Sequence, residues 1–184
     1  MTKTEIRKTG LFQRNNLGKH EITAWSQEIC DKIVNSQDYQ YAKIIHIYKS
    51  FGSEVDTNQL IKKAFDDGKI VIVPKIEKDQ NLSHWQIFPN STFTQYKYGV
   101  KNPESNYITF DIRTLEISDL IVIPIVAFDS FNNRIGYGKG FYDQFLARVD
   151  CKKIGIAFNC QLVEDCLPDS WDITLDQIVQ NQKP

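Results

Sequence analysis

The sequence predicts an α/β fold in which a mostly parallel central sheet is covered by helices. Apolar runs typical of strands alternate along the chain with segments of helical periodicity, and this alternation is typical of parallel sheets with helical connections. The most apolar run, DLIVIPIVAFD at 119–129, suits a strand in the middle of a sheet covered on both faces. The chain has 184 residues and no internal repeat, so we expect a single domain over 1–184.

The first elements are two predicted helices and a strand. The first helix covers 2–17, where Thr2 and Glu5 have the spacing of a capping box. The second covers 21–35, where apolar residues recur at helical spacing. The run AKIIHIY at 42–48 then predicts a buried strand.

A third helix and a second strand follow. The helix begins after Asp56 or Thr57 as N-cap and ends at Gly68, a residue type that is common just beyond a helix C-terminus. The run KIVIVP at 69–74 predicts the next strand.

The second half of the chain is less regular until the apolar strand. The helix that follows this strand carries an apolar stripe of Phe141, Phe145, Leu146 and Val149. The other predicted elements are a short strand at 84–88, a loop at 98–105, one strand at 119–129, a strand at 153–158, and a turn with a short last element at 167–179.

Composition and charge exclude several classes of protein. The formal net charge is −1, so no strong basic field attracts nucleic acid or an anionic membrane. The N-terminal residues lack the apolar stretch of a secretory signal, and no apolar run reaches the length of a bilayer span, so we expect neither feature. Its cysteines have neither metal-site nor redox-motif spacing, and we expect free, buried thiols in a reducing cytoplasm. These are Cys30, Cys151, Cys160 and Cys166.

The stretch NNRIGYGKGFYDQFLAR at 132–148 holds Gly136, Gly138 and Gly140 at alternate positions. It is not a P-loop, because Lys139 is followed by glycine instead of Ser or Thr. It is not a dinucleotide fingerprint either, because the glycine spacing is G-x-G-x-G. Glycines nevertheless let backbone N–H groups approach a ligand closely. An anion is the ligand that this stretch favours.

Charged side chains near the glycines sharpen that prediction. Arg134 and Lys139 can add full positive charges to the loop. Asp143 falls in the first turn of the predicted helix, where it either caps the helix or binds magnesium beside phosphates. The sequence pattern does not choose between helix capping and magnesium binding for Asp143. Glu54 and the glycine stretch each follow a buried strand, so both are expected at the edge where such sheets bind ligands.

The N-terminal helix presents a second basic surface. Lys3, Arg7 and Arg14 fall on one face of this helix, and Gly10 lies on the same face. A solvated basic face is the usual explanation of such a pattern. The surface gains a functional meaning only if it meets the glycine loop.

These motifs together resemble the 5-formyltetrahydrofolate cyclo-ligase family, also called methenyltetrahydrofolate synthetases. KTEIR at 3–7 resembles the family's K-x-x-L-R element, and YKSFGSEVDTNQLIKKAFDDGKIVIVP resembles its Y…E-V-D-T…P segment. LIVIPIVAFDSFNNRIGYGKGFYDQFL follows the family signature R-L-G-x-G-x-G-(Y/F)-Y-D and the strand before it. GIAFNCQLVEDCLPDSWD resembles the tail, although Trp171 stands where the family usually has His.

The resemblance implies a three-layer α/β fold like that of ribose-5-phosphate isomerases and CoA transferases. It implies conversion of 5-formyltetrahydrofolate to 5,10-methenyltetrahydrofolate, coupled to hydrolysis of ATP to ADP and phosphate. The cofactors implied are ATP and Mg²⁺, and the partners are small molecules, with neither nucleic acid nor membrane. We expect a monomer or a weak homodimer in the cytoplasm.

The resemblance also assigns residues. Arg134, Lys139 and Asp143 are expected to be catalytic, and Asp143 and Asp172 are expected to hold Mg²⁺. ATP is expected to contact Lys3, Thr4, Glu5, Ile6, Arg7, Arg134, Ile135, Gly136, Tyr137, Gly138, Lys139, Gly140, Phe141 and Tyr142. Folate is expected to contact Lys49, Glu54, Tyr137, Gly138, Lys139, Gly140 and Phe141, with the Glu54 carboxylate on the amino-pyrimidine edge of the pterin.

Two other functions are compatible with the same fold. A non-catalytic folate or nucleotide binder would keep the scaffold without turnover. An isomerase or a CoA transferase would lack ATP binding, and a CoA transferase commonly uses a glutamate nucleophile. ATP binding separates these alternatives.

Overall fold

The computed structural model describes residues 1–78, 81–96 and 99–182. Within these residues the helices are α1 (Lys3–Asn15), α2 (Lys19–Val34), α3 (Gln37–Tyr41), α4 (Asn58–Asp66) and α5 (Phe141–Leu146). The strands are β1 (Ile44–Ile47), β2 (Ile70–Ile76), β3 (Leu82–Gln95), β4 (Lys101–Thr109), β5 (Leu120–Pro124), β6 (Ala127–Phe128), β7 (Arg134–Ile135), β8 (Lys152–Ala157) and β9 (Gln177–Gln180).

The described strands form one large sheet and one small sheet. The large sheet has the order β4-β3-β2-β1-β5-β8-β9, and β6 pairs with β7 in the small one. In the large sheet β2, β1, β5, β8 and β9 run parallel, whereas β3 and β4 join antiparallel to β2. The predicted mostly parallel α/β sheet is therefore confirmed.

Alternate residues of β5 explain why the sheet is covered on both faces. Leu120 and Val122 pack in a core with residues of α2 and α4. Ile121 and Ile123 point to the opposite face and pack with Phe145 of α5. Because side chains alternate along a strand, a continuous apolar run supplies both cores at once. This strand lies in the interior of the sheet, as its composition predicted.

The predicted single strand over 119–129 is wrong at its end. β5 stops at Pro124, and the chain turns into β6, which pairs antiparallel with β7. The carbonyls between β5 and β6 accept hydrogen bonds from a side chain and not from a neighbouring strand. Gln161 Nε2 donates to Ile125 O at 2.7 Å and to Val126 O at 2.9 Å. A pattern of apolar residues alone cannot distinguish one long strand from two strands that are separated by a turn.

The predicted loop over 98–105 is also wrong, although Tyr98 lies outside the described residues. Residues from Lys101 onward belong to β4, and β3 is much longer than the predicted 84–88. Pro103 lies within β4. This strand is the edge strand of the sheet, where proline is tolerated because its missing N–H removes no ladder bond.

Helix ends agree better with the sequence. The Thr2–Glu5 capping box is present at the start of α1. Gly68 follows α4 with φ +72°, a left-handed conformation that favours glycine. The short helix α3 had no predicted counterpart; Ser36 caps it, its Oγ accepting from the Tyr39 N–H at 3.2 Å. Val149 lies beyond the end of α5, but it is buried in the core as its place in the apolar stripe predicted.

The cysteines agree with the prediction except that Cys160 is only partly buried. All four are free thiols, and Cys30, Cys151 and Cys166 are buried. Burial raises the pKa of the Cys30 thiol to about 12, so this group stays protonated at neutral pH. None of the described helices combines the length and apolar character that a bilayer span requires.

A buried histidine pair predicts acid sensitivity of the fold. His46 Nε2 lies 2.9 Å from His84 Nδ1, and both rings contact Phe145. Burial lowers the pKa of His84 to about 4 and also lowers the pKa of His46. Since the unfolded chain binds these protons more readily, the stabilisation is complete above about pH 6.5 and is lost as pH falls toward 4.

We therefore expect His84 alone to lower the free energy of unfolding by about 2 kcal/mol between pH 7 and pH 5, and we expect His46 to add to that loss. Urea unfolding at the two pH values measures this difference. The same substitution at the exposed His20 provides the control: His84→Asn should reduce the pH dependence more than His20→Asn does, because it removes a buried ring. Equal pH dependence in wild type and His84→Asn would contradict the assignment.

Candidate active site

A large cavity lies at the carboxyl ends of the parallel strands. It has a volume of about 1110 Å³, above the 300–1,000 Å³ that is typical of a site for one small ligand. Pro74 of β2 and Pro124 of β5 line it, as do Lys49 and Glu54 from the segment after β1. The glycine loop, defined as residues 134–143, forms another wall. The predicted edge of the sheet is therefore the edge that carries the cavity.

The glycine loop needs its glycines for two reasons. Gly138 and Gly140 have φ values of +85° and +68°, which side chains with a Cβ rarely adopt. At Gly138 an added Cβ would also lie 3.0 Å from the Arg7 guanidinium. The backbone of the loop can thus approach both a ligand and α1.

Helix α1 brings its basic face to this loop. The Arg7 Nε donates to Gly136 O at 2.8 Å, and Lys3 Nζ binds the Asp169 carboxylate at 2.6 Å and also that of Asp172. Lys3 and Arg7 both line the cavity. The alternative of a merely solvated basic face therefore does not describe these residues, and the surface meets the loop as the functional interpretation required.

Arg134 and Asp143 form an ion pair at the base of the loop. Arg134 Nη2 donates to Asp143 Oδ1 at 2.8 Å, and its Nη1 donates to Ile173 O at 2.6 Å. The Arg134 side chain is only 4% exposed, whereas that of Asp143 is 27% exposed. The residue at the N-cap of α5 is Gly140, and no side chain caps the helix. Asp143 is therefore a partner of Arg134 and not a helix cap.

The two predicted magnesium ligands both line the cavity. Asp143 uses Oδ1 toward Arg134 and the Ile173 N–H, and Asp172 uses Oδ2 toward Lys3 and the Asp169 N–H. Burial opposes ionisation of Asp172, but the hydrogen bonds from Lys3 and the backbone hold the pKa of Asp172 below its usual value. Within the described residues the second oxygen of each carboxylate accepts no hydrogen bond.

This donor set fits Mg²⁺ bound together with phosphate. The described residues contain no cluster of three or more His, Cys, Asp and Glu that could hold a metal ion alone. Mg²⁺ commonly takes one or two carboxylates and completes its octahedron with water and substrate phosphates. Two carboxylates that each keep an oxygen available match that requirement.

Glu54 provides a buried carboxylate at the cavity wall. It is 4% exposed; its Oε2 accepts from the Phe51 N–H at 3.0 Å, and its Oε1 accepts from the Tyr137 hydroxyl at 2.8 Å. The rings of Phe51 and Tyr137 stack with centroids 5.7 Å apart. Burial raises the pKa of Glu54, and the nearby Arg14 guanidinium opposes that rise. The site thus pairs an acid with a flat aromatic surface.

Most predicted site residues meet at the cavity, but three do not. Thr4, Glu5 and Ile6 lie outside its lining. Glu5 closes the capping box of α1, and Ile6 is buried against Ala127 and Ile135. On a helix only residues three or four apart share a face, so a run of consecutive residues could not all reach one ligand. Of residues 3–7 only Lys3 and Arg7 line the cavity, and ATP contact stays a prediction for these two.

Sequence reasoning also missed several residues of the lining. Trp171 lines the cavity and is 69% exposed, so it does not fill interior volume. Arg14 lies behind the lining and was predicted only as part of the basic face. Its place at i+7 from Arg7 was the available signal. The other lining residues without a predicted role are Tyr48, Phe51, Pro74, Ile76, Glu77, Leu82, Tyr96, Val100, Lys101, Pro124, Gln144, Ala147 and Asp169.

Comparison with known proteins agrees with this geometry. The model of the 5-formyltetrahydrofolate cyclo-ligase family matches residues 1–181. The 5-formyltetrahydrofolate cyclo-ligase of Haemophilus influenzae is 31% identical over 96% of this chain and 94% of its own length. That of Escherichia coli K12 is 28% identical over 93% of this chain and 96% of its own.

Two solved structures have the same fold. The 5,10-methenyltetrahydrofolate synthetase of Aquifex aeolicus matches with a TM-score of 0.85 and 29% identity, covering 100% of this chain and 91% of that chain. The 5,10-methenyltetrahydrofolate synthetase of Mycoplasma pneumoniae matches with a TM-score of 0.77 and 26% identity, over 97% of this chain and 98% of that one. The chain described here belongs to the 5-formyltetrahydrofolate cyclo-ligase family.

Proposed function

We propose that this protein converts 5-formyltetrahydrofolate to 5,10-methenyltetrahydrofolate at the expense of ATP. The observation that carries the proposal is one cavity of about 1110 Å³ lined by a cationic glycine loop and by a buried carboxylate. The loop suits a polyphosphate, and the carboxylate suits the amino-pyrimidine edge of a pterin. The volume suits both substrates together.

The chemistry consists of two substitutions. The N5-formyl oxygen attacks the γ-phosphorus of ATP, and the bond to the β–γ bridging oxygen breaks to release ADP. N10 then attacks the activated formyl carbon and gives up its proton to water, and the carbon–oxygen bond breaks to release phosphate. Such phosphoryl transfer depends mainly on positioning and on stabilisation of the charge that develops on the phosphoryl oxygens.

The side chains divide this work between the two ends of the cavity. Lys3, Arg7, Arg134 and Lys139 line the cavity and are proposed to face the phosphates. Arg134 is held by Ile173 O and Asp143, so its guanidinium is pre-organised, and this lowers the cost of binding charge. Glu54 orients the pterin, and the stacked Phe51–Tyr137 pair offers an apolar surface beside it.

Asp143 and Asp172 are proposed to hold Mg²⁺. The ion, when bound, would neutralise charge on the phosphate oxygens. The protein is further proposed to act as a monomer or weak homodimer in the cytoplasm on small molecules, without nucleic acid or membrane partners.

The direct test combines purified protein, 5-formyltetrahydrofolate, ATP and Mg²⁺ and follows the absorbance of the methenyl product. We expect product only when all the components are present, with one ADP formed per product. If no ATP-dependent product forms above a blank reaction, the proposal is contradicted. Folate binding by calorimetry without ATP hydrolysis would instead identify a non-catalytic binder.

A further inference from the structure

We propose that Arg14 is a positioning residue that fixes the Glu54 carboxylate for the pterin by way of the Tyr137 hydroxyl. The inference rests on the proposed function, because it gives Glu54 the pterin as its ligand. Arg14 itself is outside the cavity lining. It acts through two other residues.

The guanidinium of Arg14 is buried, and each of its three nitrogens donates a hydrogen bond. Arg14 is 4% exposed, and its Nε donates to Ser53 Oγ at 3.1 Å. Nη1 donates to Ile125 O at 3.3 Å, and Nη2 donates to the Tyr137 hydroxyl at 2.9 Å. A buried cation is costly unless it is paired and hydrogen-bonded. Here each nitrogen has a different element as its partner, so the guanidinium has a fixed orientation.

The Tyr137 hydroxyl transmits that orientation. It accepts from Arg14, which can only donate. Its single proton must therefore point to its other partner, Glu54 Oε1 at 2.8 Å. The Phe51 N–H holds the other carboxylate oxygen at 3.0 Å. These two bonds fix the plane of the carboxylate and leave its remaining lone pairs for a ligand.

The charge of Arg14 also matters for Glu54. The groups that face Glu54 are the Arg14 guanidinium and the phenols of Tyr48, Tyr137 and Tyr142. Burial raises the pKa of Glu54, and Arg14 is the first of the influences that lower it. A neutral residue at 14 therefore leaves Glu54 protonated up to a higher pH. Protonation removes acceptor sites that the amino-pyrimidine edge needs.

The test is a comparison of Arg14→Gln, Arg14→Lys and Tyr137→Phe across pH 5.5–8.5. We expect Arg14→Gln to raise the KM for 5-formyltetrahydrofolate by about tenfold or more, with the KM for ATP changed less than about twofold. The acid limb of kcat/KM for folate should move to higher pH. Arg14→Lys should restore part of the pH profile, since it keeps the charge.

A control and a second background make the outcome decisive. Lys8→Gln removes a charge from an exposed position of α1 and should leave both KM values and the pH profile unchanged. In a Glu54→Gln background, Arg14→Gln should have no further effect on folate binding measured by calorimetry. Equal rises of both KM values without a shift of the pH profile, or additive losses in the double variant, would overturn the inference.

Two further results separate this inference from the proposed function. If Arg14→Gln does not fold, Tyr137→Phe tests the inference in its place. This variant removes the hydrogen bond to Glu54, and it should shift the acid limb of the kcat/KM profile to higher pH in the same way. An unshifted limb in that variant would overturn the inference. Wild-type protein that binds folate without turnover would defeat the proposed function, and the calorimetric comparison would still decide the role of Arg14.

Discussion

Replacing Asp143 with Asn is expected to lower kcat by about 100- to 1,000-fold while the protein remains folded. The amide keeps an oxygen where Arg134 Nη2 and the Ile173 N–H donate, at 2.8 Å and 3.3 Å in the native protein. It removes the negative charge that magnesium requires. We expect a loss of about 1–3 kcal/mol in the free energy of unfolding, because the Arg134 side chain keeps a hydrogen bond to the amide oxygen but loses its charged partner.

A magnesium titration distinguishes metal binding from simple support of Arg134. If Asp143 binds the ion, the Mg²⁺ concentration for half-maximal rate should rise and excess Mg²⁺ should restore part of the activity. Asp150→Asn makes the same chemical change at an exposed position and should leave the rate and the magnesium dependence unchanged. An Asp143→Asn rate that is independent of added Mg²⁺, with stability lost in proportion, would assign Asp143 a structural role.

The position of the glycine loop at the cavity was predictable because its residues are adjacent in sequence. Arg134, Lys139 and Asp143 lie within one short segment, so glycine spacing and charge already indicate an anion there. The strand–helix alternation likewise predicted a parallel sheet and the edge that carries the site. Local pattern is sufficient when the interacting groups belong to one element or to consecutive ones.

The Arg14–Tyr137–Glu54 contacts were beyond such reasoning. These residues come from α1, the glycine loop and the segment after β1, and only tertiary packing brings them together. The prediction of where β5 ends was wrong for a related reason. The carbonyls just beyond the strand accept hydrogen bonds from Gln161, a polar side chain far along the chain that no local sequence window includes. Predictions failed where one side chain satisfies the backbone of a distant element.

Gly10 allows helix α1 to pack closely enough to place its basic side chains at the cavity. The residue is buried in α1, and an added Cβ would lie 2.4 Å from Val126 O and 3.2 Å from Ala127 Cβ. The carbonyl cannot easily yield, because Gln161 Nε2 donates to it at 2.9 Å and the Val126 N–H donates to Ile135 O at 2.8 Å. The helix itself must therefore move if Gly10 acquires a side chain.

Gly10→Ala is accordingly expected to destabilise the protein and to reduce activity. Alanine gains about 1 kcal/mol of helix propensity over glycine, but overpacking against fixed backbone costs about 1–3 kcal/mol. We expect the free energy of unfolding to fall by about 1 kcal/mol after this offset. A shift of about 1 Å would lengthen the bonds from Arg7 to Gly136 O and from Arg14 to Ile125 O. We expect kcat/KM to fall by about 100-fold, since catalysis tolerates little misplacement.

Urea unfolding and steady-state kinetics measure the two effects, and the neighbouring Thr9 provides the matched control. Thr9 is exposed on the same helix, so Thr9→Ala should gain a few tenths of a kcal/mol from propensity without changing kcat/KM. If Gly10→Ala were stabilised as Thr9→Ala is and kept wild-type kinetics, the close contact of α1 with β6 would not position Lys3, Arg7 and Arg14. The alternative result is a fall in kcat/KM that is much larger than the fall in the free energy of unfolding can explain. That result would show that Gly10 acts through the placement of these cations.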